Sequence, residues 1–280
     1  MNNYKDSEKY KKNNGIVPDD HTGISTGFAK LDEITNGLQG SNFIAILSRP
    51  EMGKTSLALS IAKNVAVEGK VPITYFSLEM DKKFLTNRLV SNMCQIDGKK
   101  IAKDDLDASE KRRIESTLSD LKNIPFYIDD TAGLSVSAFC SKTRQFVKEK
   151  EVKFVVVDYL QLMTVDGRKF SKREEEITYI SRSLKELANE LSITILGLLQ
   201  LHPSDHGIYK YIIQQSDCFQ FLRAIYPYSD IELFLESSRF REDTERNAYL
   251  WVPKHNCPSR PNGPISISLH FNPKCSCFQD

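Results

Sequence analysis

Neither sign of charge is in excess in this chain: 38 Lys and Arg stand against 37 Asp and Glu, a formal net charge of +1. That excludes a global basic field that gathers nucleic acid, so any contact with DNA must rest on a local patch. The chain has no apolar run long enough to span a bilayer, and its first residues carry no apolar leader segment. The expectation is a soluble, cytoplasmic protein with no membrane partner. Cysteines are few and scattered, at 94, 140, 218, 257, 275 and 277, and they make no framework of the kind that staples small secreted domains. His255, Cys257, Cys275 and Cys277 could be drawn as a zinc set. Each pair is separated by a single residue, where zinc ribbons use two to four, so these cysteines are read as reduced thiols. What is present suits one large domain with a proper core, or two small ones: 280 residues, 40% hydrophobic and 27% charged.

Residues 1–22 hold mostly Lys, Asn and Asp and almost nothing apolar, and read as a disordered tail or linker remnant. The remainder, 23–280, reads as one domain. Its organising stretch is the apolar run Phe43-Ile44-Ala45-Ile46-Leu47, then Ser48-Arg49-Pro50-Glu51-Met52-Gly53-Lys54-Thr55-Ser56, then Leu57-Ala58-Leu59-Ser60-Ile61-Ala62. This is strand, tight loop and helix, and it matches the phosphate-binding pattern G-x-x-x-x-G-K-S/T except that Ser48 replaces the first glycine. Backbone N–H groups of such a loop cradle a phosphate chain at a helix N-terminus. Lys54 is expected to reach the β- and γ-phosphates of ATP, and Thr55 to hold Mg2+.

Strand and helix signals alternate along the rest. Strands are expected over 71–78, 124–128, 154–158 and 193–200, then 231–235, 248–252 and 265–271, the last two antiparallel at the sheet edge. A short helix before residue 37 is expected to be capped by Gly37. Asp81 and Ser135 are expected to cap the helices that follow them. Residues 96–122 read as charged and helical, and 175–191 as a long helix whose Arg182 and Lys185 face solvent. The fold class is therefore α/β, a mostly parallel central sheet flanked by helices. Lys54, Glu79, Asp158 and Gln200 all fall at the carboxyl ends of parallel strands, the edge where open α/β sheets bind ligands. Asp158 ends an apolar β-branched run in the Walker B manner and is read as part of the Mg2+ site.

In combination these segments resemble the RecA-like motor domain of DnaB-type replicative helicases. The carrying residues are Gly23-Ile24-Ser25-Thr26-Gly27 with Gly37-Leu38-Gln39, the loop around Gly53-Lys54-Thr55, and Phe76-Ser77-Leu78-Glu79-Met80. Asp158-Tyr159-Leu160-Gln161-Leu162-Met163 and Ile180-Ser181-Arg182-Ser183-Leu184-Lys185 continue it, and Asn262-Gly263-Pro264, Phe271-Asn272 and Phe278 complete it. In that family a small residue at the position of Ser48 is common. The resemblance implies a hexameric homo-oligomeric ring that hydrolyses ATP with Mg2+ and translocates on single-stranded DNA among replication proteins. It assigns the attacking water to Glu79 and the γ-phosphate to Gln200.

Departures from the family shape the alternatives. The helical collar that docks primase, and most of the linker helix, are read as missing. The segment 201–229 keeps Ser216-Asp217 of the family's DNA loop, but Phe219-Gln220-Phe221-Leu222 replaces the expected Arg-Glu-Ser-Gly. Its cations Lys210 and Arg223 are expected to bind DNA weakly. Before Asn262 the family's Lys-x-Arg is also altered, leaving Arg260 or Lys254 to act in trans, with Arg260 favoured. A RecA-like ATPase that remodels a protein partner, or a paralogue that hydrolyses ATP with little unwinding, remain alternatives.

Overall fold

Short β-branched runs without polar interruption are what a parallel strand needs when both its faces are covered. In the computed structural model, which describes residues 23–201, 224–237, 246–254 and 265–280, those runs are strands. The full set of strands among the described residues is β1 (Phe43–Ser48), β2 (Ile73–Ser77), β3 (Phe126–Asp129), β4 (Phe154–Asp158), β5 (Thr194–Gln200), β6 (Ile231–Ser237), β7 (Arg246–Lys254), β8 (Ile265–Asn272) and β9 (Cys277–Gln279). The helices are α1 (Ala29–Thr35), α2 (Lys54–Lys63), α3 (Lys82–Cys94), α4 (Gly98–Lys103), α5 (Ala108–Leu121), α6 (Val136–Lys150) and α7 (Arg173–Leu191).

The strands form one sheet in the order β3-β2-β4-β5-β1-β6-β7-β8-β9. From β3 to β6 every pairing is parallel, and from β6 to β9 every pairing is antiparallel. The expected antiparallel edge is present and one strand wider, because β9 follows a tight turn after β8. Alternate residues feed two apolar layers: Ile44 and Ile46 with α1, α2 and α3 on one face, Phe43, Ala45 and Leu47 with α6 and α7 on the other. The antiparallel half turns back over α2, whose Ser60 hydroxyl accepts the Phe278 N–H at 3.1 Å. That is why α2 is buried along its length rather than on one stripe.

Local chemistry accounts for the differences from expectation. The second strand is shorter than 71–78, although the Leu78 N–H still bonds the Asp158 carbonyl at 2.8 Å beyond its end. The third begins at Phe126 because Pro125 has no N–H for the ladder; its carbonyl instead accepts from Ile73. The helix before residue 37 is capped by Asn36, not Gly37: Asn36 takes the left-handed conformation (φ 57°) and bonds the Asp32 carbonyl. Gly37 is also left-handed, and a Cβ there would lie 2.8 Å from the Gly23 backbone. Asp81 and Ser135 cap α3 and α6 through the N–H groups of Phe84 and Ala138. Within 96–122 there are two helices, α4 and α5.

Lys185 is not on a solvated face. Its ammonium bridges the Ser41 carbonyl at 2.9 Å and both Asp230 oxygens at 2.7 and 2.8 Å, while Arg182 stays exposed beside Glu186. Near this tie lies Glu232, fully buried in β6. One of its oxygens accepts from the Ser229 hydroxyl at 2.8 Å, and the other has no hydrogen-bond partner among the described residues. Burial pushes its carboxyl above the usual range, against the opposing pull of Ser229 and Lys254. The native state therefore holds this proton more tightly than the unfolded chain, so stability is present below the ordinary glutamate range and is lost as pH rises through the raised value. Glu232→Gln should remove that loss. Melting curves at pH 5 and pH 8 are expected to show the variant gaining about 2–4 °C at the higher pH only. A wild-type pH dependence in the variant would refute this.

Candidate nucleotide-binding site

The loop that follows β1 is shaped by two residues in the left-handed region, Glu51 (φ 65°) and Gly53 (φ 95°). At Gly53 a side chain has no room: a Cβ would stand 3.1 Å from the Phe278 ring and 3.2 Å from the Phe271 ring. Those two rings stack at 4.2 Å between centroids, 15° apart, and form the floor under the loop. Gly53 is the residue before α2, so Lys54, Thr55 and Ser56 open that helix, and all three are buried. Ser48, which breaks the strict pattern, is the last residue of β1, pairs with Gln200 and has no positive φ. A serine fits because the chain is still a strand there. Its hydroxyl donates to the Arg49 carbonyl at 3.0 Å, and its own carbonyl accepts from the Leu201 N–H at 2.8 Å. Arg49 and Pro50 are half-buried, Glu51 is exposed, and Met52 is buried.

The sheet order makes the next point. β2, β4, β5 and β1 are consecutive neighbours, so Glu79, Asp158, Gln200 and the loop with Lys54 follow one another along a single carboxyl edge. Ser77 and Asp158 are in register, as are Ser48 and Gln200. The Lys54 ammonium donates to Gln200 Oε1 at 3.0 Å and sits 5.1 Å from the centre of the Tyr159 ring. Gln161 fastens Gln200 from behind: its amide donates to the Gln200 carbonyl at 2.7 Å and accepts the Gln200 N–H at 3.3 Å. Arg173, at the start of α7, donates to the Gln161 carbonyl.

Asp158 is buried. Burial pushes its carboxyl up, the Thr55 hydroxyl, the Lys54 charge and the Tyr75 phenol pull it down, and the Glu79 charge adds to the rise. Its Oδ2 accepts from the Tyr75 hydroxyl at 2.9 Å, and its buried Oδ1 has no hydrogen-bond partner among the described residues. A buried carboxylate held by a phenol and close to the Thr55 hydroxyl suits the water shell of a hard divalent cation. Glu79 is exposed, and its charge is felt by both Asp158 and Tyr159.

Among the residues expected at the site, Ser48 to Ser56, Glu79, Asp158 and Gln200 are brought to one edge. Lys254 is elsewhere: its ammonium is bound to the Tyr226 and Ser229 carbonyls and lies 4.3 Å over the Tyr226 ring. Arg260, Lys210 and Arg223 lie outside the described residues, as do His255 and Cys257; Cys275 and Cys277 are buried and not joined in a disulfide. Sequence reasoning missed Tyr75 as a partner of Asp158 and Tyr159 as a support of Lys54. A hydroxyl in a strand otherwise buried on both faces was the available signal, since a buried Tyr O–H needs a partner.

The sequence matches the DnaB-like helicase C terminal domain family over residues 23–280. It is 33% identical over 277 residues to a probable replicative DNA helicase of Trieres chinensis, covering 97% of this chain and 59% of that protein. It is 38% identical over 183 residues to the replicative DNA helicase DnaB of Geobacillus stearothermophilus, covering 65% of this chain and 40% of that protein. The chain thus spans about three-fifths or less of these relatives. Among solved structures, the ATPase domain of G40P superposes with a TM-score of 0.77 at 29% identity, over 92% of this chain and 91% of that one. A DnaB-like replicative helicase, described with its interactions with primase, gives 0.77 at 28% identity, over 92% of this chain and 62% of that one. By the extent of the match, the chain belongs to the DnaB-like helicase C-terminal domain family.

Proposed function

We propose that this chain is the motor of a DnaB-type replicative DNA helicase, which hydrolyses ATP to move along single-stranded DNA and separate the duplex. The observation that carries the reading is the alignment of Glu79, Asp158, Gln200 and Lys54 on four consecutive strand ends. Loop N–H groups between Glu51 and Thr55 hold the phosphates, and Lys54 neutralises their charge. Thr55 and Asp158 would hold Mg2+, which when bound would screen the charge that builds on the transferred phosphoryl group. Glu79 takes the proton of the attacking water, and Gln200, whose backbone Gln161 holds, contacts the γ-phosphate. Arg260 of a neighbouring copy completes the site, which makes the working form a homo-oligomeric ring, a hexamer by family likeness. Residues 23–280 act as one motor unit, with 1–22 as a tail or linker remnant. Its setting is the cytoplasm, among replication proteins. Among the described residues no helix is long and apolar enough to cross a membrane.

The test is ATP turnover with and without single-stranded DNA. The expected result is stimulation by the strand that fades as salt rises, because Lys210 and Arg223 displace counterions from the backbone. Turnover indifferent to any nucleic acid would overturn the helicase reading and favour an ATPase that remodels a protein.

A further inference from the structure

The two oxygens of Asp158 are not equivalent. Oδ2 accepts the Tyr75 hydroxyl at 2.9 Å, whereas Oδ1 is buried and unpaired among the described residues. Tyr75 is fully buried on β2, next to β4, where it pairs in register with Val156. Its ring lies against Phe126 of β3 at 6.4 Å, 13° from parallel. The phenol is therefore held by the sheet, and the carboxylate by the phenol. A carboxylate turns on a soft terminal torsion with a broad two-fold profile, so a fixed donor on one oxygen decides which oxygen is left for a ligand. Groups that orient a metal-binding side chain in this way contribute to ion affinity without touching the ion.

We propose that Tyr75 is a positioning residue for the divalent cation that accompanies the nucleotide: its hydroxyl holds Asp158 Oδ2 and so fixes how the carboxylate is turned toward Thr55 and the hydration shell of the cation. The proposal rests on the nucleotide-site reading above. It sets Tyr75 apart from an ordinary core aromatic, whose hydroxyl could be removed with no effect on the cation. The bond spans two strands, so the Asp158 orientation is set by β2 as well as by its own strand.

Tyr75→Phe keeps the ring against Phe126 and removes only the donor. The affinity of the full chain for a fluorescent ATP analogue is measured without divalent ions and then across a Mg2+ titration. A parallel titration with Mn2+ reads the ion directly by electron paramagnetic resonance. The expected result is unchanged affinity without the ion, a Mg2+ concentration for half-maximal tightening raised about tenfold, and weakened Mn2+ binding. Unchanged Mg2+ and Mn2+ dependence, or an equal loss of affinity with and without the ion, overturns the proposal, the second outcome marking a merely structural role. If Tyr75→Phe does not fold, 3-fluorotyrosine at position 75, equal in shape and a stronger donor, decides: a lower half-saturating Mg2+ concentration is expected, and an unchanged one overturns the proposal. A wild-type chain whose nucleotide affinity ignores Mg2+ altogether overturns the reading of the site, and the proposal with it.

Discussion

Lys54→Ala is expected to lower ATP turnover by about two to three orders of magnitude while leaving the fold in place. The size follows from what catalysis of phosphoryl transfer consists of. The protein contributes position and fixed charge, and little covalent chemistry, so a lost cation at the phosphates is not replaced by anything nearby. Among the described residues, the contacts of the Lys54 ammonium are the Gln200 amide oxygen, 3.0 Å away, and the Tyr159 ring, neither of which carries positive charge. The same surroundings predict tolerance in the fold. Gln200 is only half-buried, so water can take the place of the lost donor, and the bend of the loop depends on Gly53 and Glu51 rather than on Lys54. Phosphate release and thermal melting on the same preparation separate the two effects. Wild-type turnover in Lys54→Ala would remove the loop from the site, and a collapse of the melting transition would make Lys54 a structural residue.

The parallel part of this fold was legible because burial on both faces leaves a simple trace. The runs at β1 and β4, and that at β5 after Thr194, are without polar interruption and each ends in a polar residue, so strand and ligand edge were visible together. Strand boundaries were less legible where one residue decides them, as Pro125 does for β3. The cap of α1 was misplaced by one residue because Asn36 and Gly37 both accept the left-handed conformation, and only the approach of Gly23 to Gly37 separates their roles. β9 has three residues and no periodicity to show; it is a strand because Phe271 and Phe278 stack beneath Gly53. Lys185 looked like a surface lysine because its partner Asp230 is 45 residues away, across a segment with no regular pattern.

The candidate site divides in the same way. Residues at strand ends were found, since each is marked by its own local pattern. Those that brace them were not, since Tyr75–Asp158 and Gln161–Gln200 are contacts between strands or between a turn and a strand, fixed by sheet order and register. Sheet order is also what turns four separate polar residues into neighbours. Alternation along the chain predicts a parallel sheet but does not give the sequence β2-β4-β5-β1.

Glu79→Gln should separate chemistry from binding. The side chain has no hydrogen bond or ion pair among the described residues and is exposed at the edge beyond β2, so it holds no part of the fold together. Its charge nonetheless reaches Asp158 and Tyr159, on the same edge as the phosphate loop. A surface glutamate with no task would show the same exposure but would not sit where its charge opposes a second carboxylate. An amide keeps the size and the ability to hydrogen-bond a water, and loses the ability to take its proton. Nucleotide affinity is therefore expected to stay near wild type, or to improve slightly as repulsion from the phosphates falls. Turnover should drop by about two or more orders of magnitude. Binding of a fluorescent ATP analogue and steady-state phosphate release, measured on one preparation, give the two numbers. Equal losses in both would make Glu79 a binding or structural group, and full turnover would send the search for the base to another residue on the same edge.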